Sequence, residues 1–278
     1  MGKLYVVATP IGNLDDMTIR AQKVLADVAL IAAEDTRHTG ILLNHFGIKT
    51  PMCSYHEHNE ESVSSGIVDK MENGIDVALV TDAGTPQISD PGYRLVRLAL
   101  NRGQEVVPVP GASALTAMLS VSGIPASRFV FEGFLPAKAG QKKAMLQKLV
   151  SETRSMVFYE APHRLEATLN VMKDVFGTGR QILLARELTK IHEQIFLGTV
   201  ASALTAMQDG RIPNKGEFVI QVEGCDEPAY NMEYVPLMRE LVRELPPGKA
   251  AEVASKLTGE QRNIMYRIAL SLKKTDKD

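Results

Sequence analysis

The feature that most constrains this chain is a rhythm in its first 110 residues. Short apolar runs, each about one strand long, alternate with stretches of helical period, and several runs spill into loops dense in Gly and Pro. Such alternation marks parallel βαβ units, because a crossover helix must return the chain before the next parallel strand can pair. Strands are expected at Leu4–Thr9, Val28–Ala33, Pro51–Tyr55, Asp76–Thr81 and Glu105–Val109. The helices between them stop at Gly47, Gly74 and Gly103, where a helix C′ residue takes positive φ at least cost.

Beyond Pro108–Pro125, a strand end, tight turn and small-residue helix, the pattern changes. Strands are expected at Phe129–Gly133, Ser155–Glu160, Gln181–Glu187, Glu193–Leu197 and Glu217–Glu223, and helices at Gln141–Glu152, His163–Phe176 and Val200–Gln208. The short interval around Thr189 and Lys190 suits a hairpin, so this second sheet should be mixed. The expected division is an α/β domain over 1–115, a second α/β domain over 116–226 and a helical module over 231–278. That module reads as three helices parted by Pro246-Pro247 and Gly259, with nine Lys/Arg against seven Asp/Glu. A helix–turn–helix touching nucleic acid and a helical dimerisation cap both fit; the near balance of charge favours the cap.

Composition excludes several classes. A net charge of −2 gives no global basic field, so any nucleic-acid surface must be local. Trp is absent and aromatics are 5%, which disfavours an aromatic cage or an extensive base-stacking platform. Cys53 and Cys225 lack metal or redox spacing and read as buried reduced thiols. The chain opens straight into a strand, without signal-peptide layout or an apolar run of membrane-spanning length, and so reads as cytoplasmic.

Chemistry gathers at strand ends. The loop Asp82–Gly92, "DAGTPQISDPG", divides in two. Asp90 and Pro91 suit the N-cap and N1 positions of the next helix. Gly84, Thr85 and Pro86 instead suit a ligand, the missing side chain at Gly84 letting backbone amides approach it. Asp82 stays open between ligand contact and a turn-forming role. Thr9–Asp15 and Pro110–Ser113 end two more strands, and three such loops on one sheet edge point to a ligand cleft. Neither a GxGxxG fingerprint nor a Walker A motif is present. "AEDTRHTG" places Glu34, Asp35, Arg37 and His38 at another strand end, either as a cleft patch or as solvated charge with a helix cap at Asp35 or Thr36. His56, Glu57 and His58 offer too few ligands to argue for a metal. Lys138, Lys142, Lys143, Lys148 and Arg154 stand against the one acid Glu152, which fits a solvated helix face or phosphate contact equally.

Taken in order, "YVVATPIGNLDDMTIRA", "AEDTRHTGILL", "VTDAGTPQISDPGYRLV", "VPVPGASALTAMLSVSGIP", "FEGFLPAKAGQK", "FYEAPHRL", "RELTKIHEQIFLGT" and "NKGEFVIQVEG" closely resemble the RsmI-type ribosomal small-subunit methyltransferases of the tetrapyrrole methylase superfamily. The resemblance runs over residues 3–272. It implies two α/β domains with S-adenosylmethionine (SAM) between them, a small C-terminal helical segment and a homodimer. The implied substrate is the ribose 2′-hydroxyl of a decoding-centre cytidine in 16S rRNA, within the small ribosomal subunit. Residues Ala8–Asn13 and Ala83–Pro86 depart from the GxGxGDP-like and GGDP-like loops of the tetrapyrrole and diphthine branches, which argues against a corrin or sirohaem substrate.

Carried over by motif, the SAM contacts would be Pro10, Gly84, Thr85, Pro86, Ile88, Ser113 and Ala114 from the first domain. Tyr159, Arg186, Glu187, Gly216 and Glu217 would complete the pocket from the second. A ribose hydroxyl is a weak nucleophile, so positioning and a proton acceptor are wanted. The catalytic candidates are Glu34, Asp35 and Glu160, with His163 a further acceptor, while no metal is needed. Arg37, Lys138, Lys142, Lys143 and Arg164 are the candidates for RNA phosphate. A non-catalytic SAM-binding module and a tetrapyrrole methylase stand as rival readings.

Overall fold

The computed structural model describes residues 1–225 and 233–275. Its first sheet is fully parallel, in the order β3-β2-β4-β1-β5. The strands are β1 (Lys3–Val7), β2 (Leu30–Ala33), β3 (Met52–Ser54), β4 (Val77–Val80) and β5 (Glu105–Val109). The continuous apolar lettering of β4 is explained by burial on both faces. Ala78 and Val80 face one cluster with Ala21 and Leu25 of α1 (Ile19–Asp27) and Leu42 and Leu43 of α2 (Thr36–His45). Val77 and Leu79 face the other, with Ile67 and Met71 of α3 (Glu60–Glu72) and Leu95 and Ala99 of α4 (Tyr93–Asn101). Pro108 is tolerated because β5 is an edge strand. The helix stops Gly47, Gly74 and Gly103 have φ of 68°, 85° and 69°, as a C′ glycine requires.

The second sheet is mixed, in the order β6-β7-β10-β8-β9, with only β6 and β7 parallel. It comprises β6 (Phe129–Phe134), β7 (Ser155–Glu160), β8 (Gln181–Arg186), β9 (Gln194–Thr199) and β10 (Phe218–Val222), and β8 and β9 form the expected hairpin. One face, through Phe158, Leu184 and Ile220, packs under α6 (Ala139–Lys148), α7 (Pro162–Phe176) and α8 (Val200–Gln208). The other, through Val157, Leu183, Ala185 and Val219, has no such helical layer from its own half. It is covered by Leu115 and Met118 of α5 (Ala114–Ser120) and by Ile11 from the loop after β1. This junction brings the carboxyl edge of the first sheet against the face of the second.

At the C-terminus, α9 (Tyr234–Glu244), α10 (Pro247–Thr258) and α11 (Arg262–Thr275) enclose their own cluster around Met238, Ala250, Ala254, Met265 and Ile268. Gly259 ends α10 in the left-handed region. Part of the expected module, 231–232 and 276–278, lies outside the described residues.

Three expectations need correction. The helix expected at Gln141–Glu152 runs from Ala139 to Lys148, since beyond it the amides of Leu149, Val150 and Glu152 bond three residues back rather than four. Both cysteines are free, but half-buried rather than buried. Asp90 does not cap α4. Gln87 and Ser89 take φ of 72° and 68°, so the chain winds further before the helix, and Gly92 (φ 134°) occupies the cap without a side-chain bond.

Candidate active site

Three loops of the first sheet are joined at its carboxyl edge. Thr9 and Gly84 exchange backbone hydrogen bonds, at 2.9 Å from the Thr9 amide and 3.1 Å from the Gly84 amide. The Thr9 hydroxyl adds a bond to the Thr81 carbonyl at 3.1 Å, and the Thr85 hydroxyl donates to the Ala112 carbonyl at 3.1 Å. Gly84 can do this because its φ is 82°. Its amide is therefore spent within the protein, while the residue itself lines the cleft beside Ala83 and Thr85.

These loops and the second sheet enclose a cleft of about 360 Å³, within the range of small-molecule sites. Of the residues expected at a cofactor, Gly84, Thr85, Ile88, Ser113, Ala114, Tyr159 and Glu217 line it. Pro10 and Pro86 are buried and do not. Arg186, Glu187 and Gly216 form a frame behind Glu217. The Arg186 guanidinium donates to the Lys215 and His192 carbonyls at 2.6 and 3.0 Å. The Glu187 carboxylate accepts from the Glu217 amide and from Lys190, both at 2.9 Å. Among the described residues, positive φ at non-glycine positions occurs only at Gln87, Ser89, Glu187 and Thr189, in the two loops that flank the cleft. Backbone strain of this kind gathers at functional sites.

Sequence reasoning missed Asp90 as a lining residue, because Asp-Pro before a helix mimics a cap. Burial, then the Glu34 and Asp82 carboxylates, push its pKa up to about 7. Glu34 is raised as well, chiefly by burial, and accepts from the Asp82 amide at 3.3 Å. Asp82 in turn accepts from the Asp35 amide at 3.1 Å, which joins the loops after β2 and β4.

The other catalytic candidates are committed elsewhere. Asp35 caps α2 by accepting from the Arg37 amide at 2.8 Å and pairs with the Arg37 guanidinium at 2.6 Å, which holds its carboxyl far below the ordinary range. Glu160 lines the cleft, yet its carboxylate is fully buried and surrounded by donors. It accepts from Thr168 at 2.5 Å and from the Ala161 amide at 3.0 Å. Lys142 lies 3.5 Å away, and the Arg164 Nε lies at 3.0 Å without the angle of a hydrogen bond.

That arrangement corrects two RNA assignments. Lys142 is buried, donates to Thr168 at 2.5 Å and has its pKa lowered by burial, so its ammonium is not offered to a phosphate. Arg164 is turned inward to Glu160 and the Leu135 carbonyl. Lys138, Lys143 and His163 are exposed, and Arg37 is exposed but paired with Asp35. Among the described residues, no group of three or more His, Cys, Asp or Glu side chains is placed to hold a metal ion. No described helix is long and apolar enough to cross a membrane.

Comparison with known proteins defines the class. Residues 3–204 match the model of Tetrapyrrole (Corrin/Porphyrin) Methylases, and residues 233–273 match that of the RsmI C-terminal HTH domain. The fold is similar to a crystal structure of uroporphyrin-III C-methyl transferase from Thermus thermophilus complexed with S-adenyl homocysteine. That likeness has a TM-score of 0.54 at 15% identity and covers 80% of this chain and 97% of that one. The fold is thus that of the tetrapyrrole methylases, and the chain is a methyltransferase of that class.

Sequence narrows it further. The chain is 48% identical to the ribosomal RNA small subunit methyltransferase I of Pseudomonas aeruginosa, over 97% of each chain. It is 48% identical to the protein of that name from Xylella fastidiosa (strain Temecula1), over 95% of this chain and 98% of the relative. The chain belongs to the ribosomal RNA small subunit methyltransferase I family.

Proposed function

We propose that the cleft binds SAM and that the chain methylates the ribose 2′-hydroxyl of a decoding-centre cytidine in 16S rRNA, presented in the small ribosomal subunit. The observation that carries the cofactor is the charge of the lining: Asp90, Glu160 and Glu217 are there, and no Lys or Arg. With Glu160 neutralised by its partners and Glu217 paired with Lys190 at 2.9 Å, Asp90 is the carboxyl left to favour a cationic ligand over a phosphate-bearing one. SAM fits, with a sulfonium, an ammonium and an apolar nucleoside body against Ile11, Ile88, Ala114, Leu188 and Val219.

Bound SAM supplies an electrophilic methyl with a neutral thioether as leaving group. The residues of this chain orient and exclude water: Thr85, Ser113 and Tyr159 offer the polar contacts, and Asp90 the anionic one. Burial raises the Tyr159 hydroxyl pKa, while contacts with the Leu115 backbone and Ser113 side chain act against this, so Tyr159 ties the second sheet to α5. Of the three carboxylates considered for the proton, Glu34 is the least committed: it accepts from the Asp82 amide at 3.3 Å, and burial raises its pKa. The rRNA substrate rests on the names of the relatives and on the departures at Ala8–Asn13 and Ala83–Pro86. The proposal includes the division into 1–115, 116–226 and 231–278 and a homodimer, which sedimentation of the full chain tests.

The decisive assay is transfer of a tritiated methyl group from SAM to small subunits purified from a strain lacking this activity, followed by mapping of 2′-O-methylation. Label on the ribose of a decoding-centre cytidine is expected. Label on uroporphyrinogen instead would transfer the chain to the tetrapyrrole branch, and SAM binding without transfer to either would make it a sensor.

A further inference from the structure

Phe134 sits at the mouth of the cleft with 55% of its surface exposed. A lone exposed apolar side chain is ordinary on a protein surface. What sets this one apart is how the chain turns it there. Along β6, Phe131 faces the α5 side of the sheet and Val130 packs on the helix-covered side. Simple alternation would send Phe134, like Val130, under the helices. The register instead slips by one residue: Phe131 pairs with Val157, Gly133 with Phe158 and Phe134 with Tyr159. The bulge leaves Glu132 unpaired and turns Phe134 onto the face shared by Val157 and Tyr159.

Gly133 makes the bulge possible with φ of 63°, and a Cβ there would lie 3.2 Å from the Ser89 hydroxyl, in the loop that carries Asp90. The ring is then held at an angle to Tyr159, centroids 5.5 Å apart, and Tyr159 against Phe131 at 5.0 Å. The three rings meet edge to face, and the outermost, Phe134, is the exposed one. Exposed Lys138 and Lys143 follow within ten residues, and neither has an ion-pair partner among the described residues.

We infer that Phe134 is the stacking surface for the base of the nucleotide being methylated, with Lys138 and Lys143 beside it for the flanking phosphates. This rests on the RNA reading given above. Aromatic faces accept unstacked bases without needing a particular sequence, and a base held on a ring at the mouth of the cleft would fix its ribose hydroxyl close to a methyl donor inside. One ring is enough for this, which agrees with a composition too poor in aromatics for an extended platform.

The test uses the full chain and unmethylated small subunits. Phe134→Leu keeps an apolar group but removes the π-face, Phe134→Ala removes both, and Phe134→Tyr restores a ring. Leu and Ala variants should lose roughly 5- to 100-fold in kcat/KM for the subunit. Their SAM affinity by calorimetry should stay within about twofold, which also reports that they fold, and the Tyr variant should regain most activity. Unchanged kcat/KM in Phe134→Leu would overturn the inference. So would a parallel loss of SAM affinity, which would assign the ring to the adenine of the cofactor. Failure of the wild-type chain to methylate subunits at all would remove the RNA reading and this inference together.

Discussion

Asp90 is surrounded by what a carboxylate least prefers, an apolar setting and the Glu34 and Asp82 carboxylates. Its folded pKa, pushed up to about 7, lies above the ordinary carboxyl value near 3.8. The neutral form is therefore favoured in the fold, and stability is lost as pH rises from about 4 through about 7. A cationic ligand acts in the opposite sense by favouring the ionised form. SAM affinity should increase with pH up to about 7 and then level off, with proton release at lower pH visible as a buffer-dependent heat in calorimetry. Asp90→Asn should weaken SAM by roughly 10- to 100-fold and flatten that dependence. The same substitution should raise the melting temperature of the ligand-free protein at pH 8, because the unfavourable charge is gone. A variant that bound SAM normally would place the cation elsewhere in the cleft. Gly12 makes a separate residue-scale case: a Cβ there would lie 2.3 Å from the Lys190 Cγ, beneath the ammonium that joins Glu187 and Glu217. Gly12→Ala should lower SAM affinity, and adding Lys190→Ala should relieve the contact but not the strain of a side chain at φ 155°, so a double-mutant cycle should show partial recovery.

At the scale of elements, β7, α6 and α7 meet at one buried carboxylate. Removing Glu160 leaves the Lys142 ammonium and the Arg164 guanidinium facing each other without a counter-ion. Glu160→Ala should cost about 3–5 kcal/mol in urea denaturation, and exchanging Glu160 and Lys142 together for Met should recover most of it. If Glu160→Ala unfolded at the wild-type midpoint, the network would be of no structural consequence. The same helix shows how far sequence reached. Strands such as Ser155–Glu160 were legible because a continuous apolar run has few other readings. Lys142 was misread as part of a basic patch because its neighbours Lys138, Lys143 and Lys148 are also cationic. Its spacing held the correction, since Lys142 falls four residues before buried Leu146, on the inward stripe of α6. Asp90 and Phe134 were less accessible. One depends on positive φ at Gln87 and Ser89, the other on a one-residue slip between strands, and neither choice is written in local propensity.

Across the whole molecule, the buried side chains of α9–α11 form a cluster separate from those of the two sheets. Ending the chain after residue 230 should therefore leave SAM affinity within about twofold and the urea transition of the remainder cooperative; loss of SAM binding would show that the helices support the cleft. The cleft itself draws one wall from each sheet, and the wall from the first is already tied. The reciprocal amide bonds of Thr9 and Gly84, and the tether from Thr85 to Ala112, hold the loops after β1, β4 and β5 as a unit. Ligand loops usually belong to the least stable part of a fold and exchange their amide hydrogens quickly. Here the Thr9 and Gly84 amides should exchange as slowly as those of the strands, with or without ligand. Little of the encounter is then spent waiting for the loops to assemble, so the cofactor's residence time, rather than its rate of arrival, is where substitutions in this wall should register.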